Sequence, residues 1–313
     1  MQAAGEFVME VQGLRRVFGD TVAVDSVDLA VRRGEMFGLV GPDGAGKSTT
    51  IRLLCGLLQP TGGSGRILGF DLARDLDRIK ARIGYLSQNF TLYGDLTVDE
   101  NIEFFAEIHE VTRFRERRNE LLEATQLLPF RGRLAQVLSG GMKKKLALAC
   151  TLIHQPDLVL LDEPSTGVDP VSRGELWAIL GTMLEQGITV FLTTPYLDEA
   201  ERCDRVGLMH QGKIVIVGTP AVVRARMPGQ VFRLECARPE QAYRILRQRW
   251  PSTHVVLFGG RVRFWTEQGQ DEVDSALALL AGQGLGEVAA RVDAPTLEDA
   301  FVGLVGAGTK NEG

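Results

Sequence analysis

Short, wholly apolar runs alternate along the chain with stretches whose apolar residues recur at helical spacing. Met36-Phe37-Gly38-Leu39-Val40 is such a run and predicts a buried strand. Behind it, Ile51, Leu54, Cys55 and Leu58 fall on one helix face. Ile83 to Leu86, Leu158 to Leu161 and Ile188 to Leu192 repeat the buried-strand pattern, while Val27 to Val31 and Arg66 to Leu68 read as further strands. Helical periodicity covers residues 97–128, where Thr97 predicts a cap with Asp99 and Glu100 in the first turn. It returns behind Ser139, where Met142, Leu146, Ala149 and Ile153 share a face, and again from Val171 to Gln186. Strands alternating with helices predict an α/β domain over residues 1–227.

Pro228-Gly229-Gln230 marks a boundary. Beyond it the order is β-α-β-β-α-β, with strands Val231 to Cys236, His254 to Phe258, Arg261 to Trp265 and Val288 to Val292. The helices run from Glu240 to Arg249 and from Asp271 to Ala281, and Gly259-Gly260 is the hairpin turn. This predicts a small α+β, ferredoxin-like domain over 228–306. A helix from Leu297 to Val305 is expected to pack back on it, with 307–313 as a disordered tail.

Between the first buried strand and its helix lies Gly41-Pro42-Asp43-Gly44-Ala45-Gly46-Lys47-Ser48, followed by Thr49. It fits G-x-x-x-x-G-K-[ST] in the strand–loop–helix setting that the motif requires. Glycines let backbone N–H groups curl around phosphate oxygens, and the helix N-terminus adds partial positive charge. Lys47 reaches β- and γ-phosphates, and the Ser48 hydroxyl is a ligand for Mg²⁺. A second apolar strand ends in Asp162-Glu163. Asp162 suits Mg²⁺, directly or through water, and Glu163 suits a water attacking the γ-phosphate. Phe18 is either an ordinary turn aromatic or an adenine-stacking ring. Leu138-Ser139-Gly140-Gly141-Met142 is either a plain helix cap or a second anion site. Lys143-Lys144-Lys145 and the run Arg113 to Arg118 read as solvated charges.

The bulk numbers narrow the class. Net charge is −5, which argues against a nucleic-acid partner. No apolar run approaches the roughly 18 residues of a membrane helix, and residues 1–6 carry no secretory signal. Cys55, Cys150, Cys203 and Cys236 are widely spaced and suggest a reducing cytoplasm. His109, His154, His210 and His254 form no ligand pattern.

Taken together, residues 7 to about 220 resemble the ATP-binding subunit of an ATP-binding-cassette (ABC) transporter. The carriers are Gly41 to Ser48 (Walker A), Gln88 (Q-loop), Leu138 to Met142 (signature), Leu158 to Asp162 with Glu163 (Walker B and catalytic Glu), and Ser165 to Asp169 (D-loop). Gly84 to Gln88, Leu92 to Val98 and Pro295 to Phe301 resemble multidrug, daunorubicin-resistance-like and ABC-2-type exporter ATPases. The resemblance implies a P-loop NTPase with a RecA-like core, an antiparallel β subdomain and a helical subdomain. It implies two cassettes, homo- or heterodimeric, sandwiching ATP and Mg²⁺. Leu138 to Met142 of one cassette complete the site built on Lys47, Ser48 and Asp162 of the other, and Asp169 belongs to the D-loop. Phe18 stacks on adenine, and Gln88 touches Mg²⁺ or water. Residues 89–130 grip a separate polytopic membrane permease, so the chain is expected at the cytoplasmic face of the cell membrane, peripherally bound.

Two positions depart from the family. Pro195 stands where a His usually contacts the γ-phosphate, and it has no side-chain donor. Loss of one positioned donor typically costs about 10²–10³ in rate. Asp43 stands where Asn is usual, placing a carboxylate near phosphate at a repulsion of up to ~4 kcal/mol at an effective dielectric of 20. Both resemble the first ATPase half of bacterial exporter proteins that fuse two halves. The expectation is an exporter ATPase with one weakened site. Its alternatives are a regulatory ATP-binding subunit with little hydrolysis, and a soluble cassette ATPase.

Overall fold

Strand and helix boundaries fall where turn-forming residues interrupt the apolar runs. The computed structural model describes residues 7–251 and 254–310, side chains at 258 and 306–310 excepted. β1 (Phe7–Phe18) and β2 (Thr21–Arg32) pair antiparallel across the Gly19-Asp20 turn, with several bulges along the ladder. β3 (Met36–Val40) is buried at all five positions. It leads through the Gly-rich loop into α1 (Lys47–Leu54). β4 (Gly62–Ile67) and β5 (Phe70–Asp71) join the first pair in a sheet of order β2-β1-β4-β5. After α2 (Leu76–Lys80) comes β6 (Ile83–Leu86).

Two helices, α3 (Val98–Ile108) and α4 (Phe114–Ala124), form the next block, before α5 (Gly140–Leu152) returns the chain to the core. The expected cap at Thr97 is a full capping box: Thr97 Oγ1 accepts from the Glu100 amide at 3.2 Å, and Glu100 Oε2 accepts from the Thr97 amide at 2.7 Å. Arg117 and Arg118, expected in solvent, lie largely covered. Arg117 pairs with Glu120 at 3.0 Å, and Arg118 sits between Asp99 at 3.7 Å and Glu103 at 3.6 Å. Their long stems pack along the helices while the heads find carboxylates.

β7 (Leu158–Asp162), α6 (Pro170–Glu185), β8 (Thr189–Thr194), α7 (Leu197–Ala200), β9 (Arg205–His210) and β10 (Lys213–Gly218) complete the first unit. The central sheet has the order β10-β9-β3-β8-β7-β6 and is parallel from β9 to β6. Parallel strands are buried on both faces, which is why they read as unbroken apolar runs. Phe37 and Phe191, register partners on β3 and β8, stack with centroids 5.6 Å apart.

The chain divides into two compact units between Val217 and Gly218, not at 227/228. The second unit contains α8 (Pro220–Ala225), β11 (Gln230–Glu235), α9 (Pro239–Leu246), β12 (Val255–Phe258), β13 (Arg261–Thr266), α10 (Gln270–Gly282), β14 (Ala289–Asp293) and α11 (Leu297–Lys310). Its sheet order β12-β13-β11-β14 is antiparallel throughout, the ferredoxin-like arrangement. Phe232, Leu234, Val262 and Phe264 face Leu246, Val273 and Leu280 across its core. α11 continues past Val305 to Lys310, into the segment expected to be disordered, and residues 311–313 lie outside the described residues.

Candidate nucleotide site

The loop after β3 is shaped by glycine. Gly44 and Gly46 have φ of 79° and 106°, in the left-handed region that a side chain disfavours. A Cβ on Gly41 or Gly46 would run into the carbonyl oxygens of Met209 and Ala23. Gly46 caps α1 without a side chain of its own, leaving the first amides of that helix facing a cavity of about 430 Å³. Lys47 bends back from the first turn of α1. Its buried Nζ donates to the carbonyls of Gly41 (2.8 Å) and Pro42 (3.1 Å) and lies 3.4 Å from Glu163 Oε1.

The ends of β7 and β8 supply the opposite wall. Asp162 is fully buried, and its Oδ1 accepts from Ser48 Oγ at 3.0 Å and from Thr193 Oγ1 at 2.7 Å. Its Oδ2 is buried and has no hydrogen-bond partner among the described residues. An unpartnered carboxylate oxygen in the interior is costly unless a cation meets it. With the Ser48 hydroxyl on the same carboxylate, this oxygen set fits a hard divalent ion such as Mg²⁺.

Glu163 takes φ of 49°, rare for a side chain of its size, and its amide is held by the Thr193 carbonyl and hydroxyl, each at 3.1 Å. That turn aims the carboxylate into the cavity. Gln88 Nε2 donates to Glu163 Oε2 at 3.0 Å and Thr166 Oγ1 donates to the same oxygen at 3.2 Å. Hydrogen bonds through Thr193 and the Lys47–Glu163 ion pair therefore join Lys47, Ser48, Gln88, Asp162 and Glu163 into one cluster. Asp43, Gly44, Gly46, Thr49 and Pro195 also line the cavity.

Other expected residues stand apart from it. Phe18 is 42% exposed at the end of β1, with the Arg16 guanidinium 4.5 Å above its ring. Leu138 to Met142 open α5, where Ser139 Oγ accepts from the Met142 amide at 3.3 Å. The signature lines a different cavity, through Gly140, and Gly141 packs closely against Ser172. Asp169 caps α6, accepting from the amides of Val171 (3.1 Å) and Ser172 (3.0 Å). The Ser172 bond is the main cause that lowers the carboxyl below the usual aspartate range.

Three contributors were not singled out from the sequence. Thr193 reaches Asp162 because β7 and β8 are neighbours in register, Asp162 opposite Thr193. Thr166 holds the Glu163 carboxylate, although the D-loop had pointed only to Asp169. Two of the three lysines behind the signature, Lys144 and Lys145, are not solvated charges. Lys145 is buried and bonds Glu175 at 2.9 Å, and Lys144 Nζ donates to the Gln88 carbonyl at 2.8 Å. Burial draws the Lys144 ammonium below the ordinary lysine range, with Asp162 and Glu163 pulling the other way.

Comparison with known proteins agrees with this geometry. Residues 24–166 match the ABC transporter family. The chain is 43% identical over 254 residues to the probable multidrug ABC transporter ATP-binding protein YbhF of Escherichia coli, covering 80% of this chain and 43% of that protein. The chain thus spans less than half the length of YbhF. It is 40% identical to the daunorubicin/doxorubicin resistance ATP-binding protein DrrA of Streptomyces peucetius, covering 72% of this chain and 69% of that one. Identity to DrrA3 of Streptomyces coeruleorubidus is 34%, over 95% of each chain. Among solved structures, the ATP-binding subunit of an ABC transporter superposes with a TM-score of 0.64 at 30% identity, covering 70% of this chain and 92% of that one. A dimeric ATP-binding cassette in a post-hydrolysis state, bound to ADP and Pi, superposes with a TM-score of 0.62 at 25% identity, covering 67% and 98%. The chain belongs to the ABC transporter family, as one of its ATP-binding proteins.

Proposed function

We propose that the chain is the ATP-binding and hydrolysing subunit that powers a membrane exporter. The carrying observation is the cluster in which the Glu163 carboxylate lies within hydrogen-bond reach of Gln88 and 3.4 Å from Lys47, beside the unpartnered Asp162 Oδ2. The loop amides, the α1 N-terminus and Lys47 bind the triphosphate of ATP. Phe18 offers the free face of its ring to adenine. Ser48, Asp162 and Gln88 would hold Mg²⁺, which would neutralise charge on the phosphates. Glu163 accepts a proton from the attacking water, Gln88 and Thr166 fix its orientation, and Thr193 fixes Asp162. An incoming phosphate competes with Glu163 for Lys47, so substrate binding itself frees the base.

Dimerisation with a second cassette, identical or not, brings Leu138 to Met142 of one cassette to the phosphates bound by the other, with Asp169 at the junction. The dimeric neighbour bound to ADP and Pi supports this. Residues 89–130 carry the permease contact. A cavity of about 200 Å³, lined by Leu57, Tyr85, Phe90, Phe105, His109 and His154, gives that region an apolar hold. No helix among the described residues is long and apolar enough to cross a membrane, so a separate permease places the chain peripherally at the cytoplasmic face. Pro195 and Asp43 line the phosphate cavity, where one supplies no donor and the other a carboxylate. These two residues favour a weakened site, and with it a second reading as a mainly regulatory partner of a more active cassette.

Steady-state Mg²⁺-ATPase of the full chain, with Glu163→Gln as the blank, tests the reading. Removing a general base is expected to lower turnover by about 10²–10⁴-fold while ATP still binds. Bound ATP without turnover in the wild type selects the regulatory reading. Failure to bind ATP overturns both.

A further inference from the structure

Gln88 is held at both ends. Its side chain reaches Glu163 at 3.0 Å, while its main-chain carbonyl accepts from Lys144 Nζ at 2.8 Å. Lys144 belongs to α5, the helix that begins at the signature, little more than one turn past Ser139. The segment that carries Gln88, from Ser87 to Leu96, is neither helix nor strand. Among the described residues, no backbone-to-backbone bond outside the strands ties down 88–92. The next anchor is Asn101, whose side chain bonds both the amide and the carbonyl of Tyr93. Lys144 therefore holds the main chain at the start of this loop, where the other holds are side-chain ones: Gln88 on Glu163 and the Phe90 ring 5.4 Å from that of Phe105.

We propose that Lys144 is a positioning residue that makes the Gln88 loop travel with α5. The hydrogen-bond partner of Glu163 in one ATP site is then set by the helix whose first residues, Ser139 to Gly141, meet the phosphates of the other. The link is firm, because Lys144 sits on a helix and its part-buried, charge-assisted bond is short and strong. This deepens the proposed ATPase reading and rests on it.

Two measurements on the full chain test it, using Lys144→Met, the conservative Lys144→Arg and the neighbouring Lys143→Met as control. Amide hydrogen exchange at Tyr93, whose N–H donates to Asn101 Oδ1 at the far end of the loop, reads the tether alone without nucleotide. It is expected to speed about tenfold in Lys144→Met, to recover in Lys144→Arg and to stay unchanged in Lys143→Met. ATP titrations then read its consequence. Turnover is expected to fall about tenfold in Lys144→Met, with KM for ATP within about twofold and any cooperativity between sites lost. Unchanged exchange overturns the proposal. So does faster exchange with unchanged turnover and cooperativity. A wild-type chain that binds no ATP defeats the ATPase reading, while the exchange experiment still decides the tether.

Discussion

Buried polar side chains are distributed very differently in the two units. In the first they are many, and one group gathers where strands end: Asp162 closes β7, Thr193 and Thr194 close β8, and Lys47 opens the helix after β3, while others such as Asn101 and Thr151 lie within helices. In the second, Thr266 is the one buried polar side chain among the described residues, and it donates to Glu272, which also receives Trp250 Nε1. The cause is topological. Parallel strands deliver all their C-terminal ends to one edge, where loops with polar groups converge. In an antiparallel sheet successive ends alternate between edges, so polar termini scatter and the sheet serves as a core. Chemistry and packing are thereby segregated along the chain.

The largest effect that tests this segregation is on packing. Phe264→Ala removes a fully buried ring from the second unit and is expected to destabilise that unit by about 3–5 kcal/mol. Urea unfolding followed by tryptophan fluorescence reads it, since Trp250 and Trp265 lie in that unit and Trp177 in the first. ATP binding is expected to be unchanged, and its loss would break the comparison. A smaller effect sharpens the first unit's side of it. Pro195→His supplies a donor beside the phosphate cavity, and turnover is expected to rise about tenfold. No rise would mean that the cavity does not depend on a donor at that position.

The smallest expected effect concerns acid. His109 and His154 stack with ring centroids 3.9 Å apart, and the Nε2 of His154 meets the Ile83 carbonyl. Burial pushes His154 down to about 4, the neighbouring His109 adds to the shift and the Ile83 carbonyl opposes it. Burial also lowers His109. Below the ordinary value of 6.5 the unfolded chain takes up protons that the folded pair refuses. Stability is therefore full above that value, falls as pH drops and levels off near 4. Discounting for partial exposure, the loss at pH 5 is about 1 kcal/mol. Urea midpoints at pH 7 and 5 measure it, and an equal pH slope in His154→Gln would refute the assignment.

Much of this protein was legible from local pattern. Gly41 to Ser48, the Ser139 cap, the Thr97 capping box and the Asp162-Glu163 strand end are contiguous, so short-range geometry and hydrogen bonding dictate them. The β-α-β-β-α-β order also followed from periodicity and the Gly259-Gly260 turn. The charge runs were misread for a physical reason: Lys144, Lys145 and Arg118 differ from solvated charges only through partners at Gln88, Glu175 and Asp99 that the fold brings to them.

Sequence alone thus determined the Gly-rich loop, the Asp162-Glu163 strand end and the alternation that makes an α/β unit, because each is written in neighbouring residues. Only the tertiary structure decided that β3, β8 and β7 lie side by side. That order joins Lys47 to Glu163 and Thr193 to Asp162, and the packing of α5 against β6 joins Lys144 to Gln88. These contacts cross long loops of chain and depend on which elements are neighbours in the fold, which no local pattern of apolar and polar residues specifies.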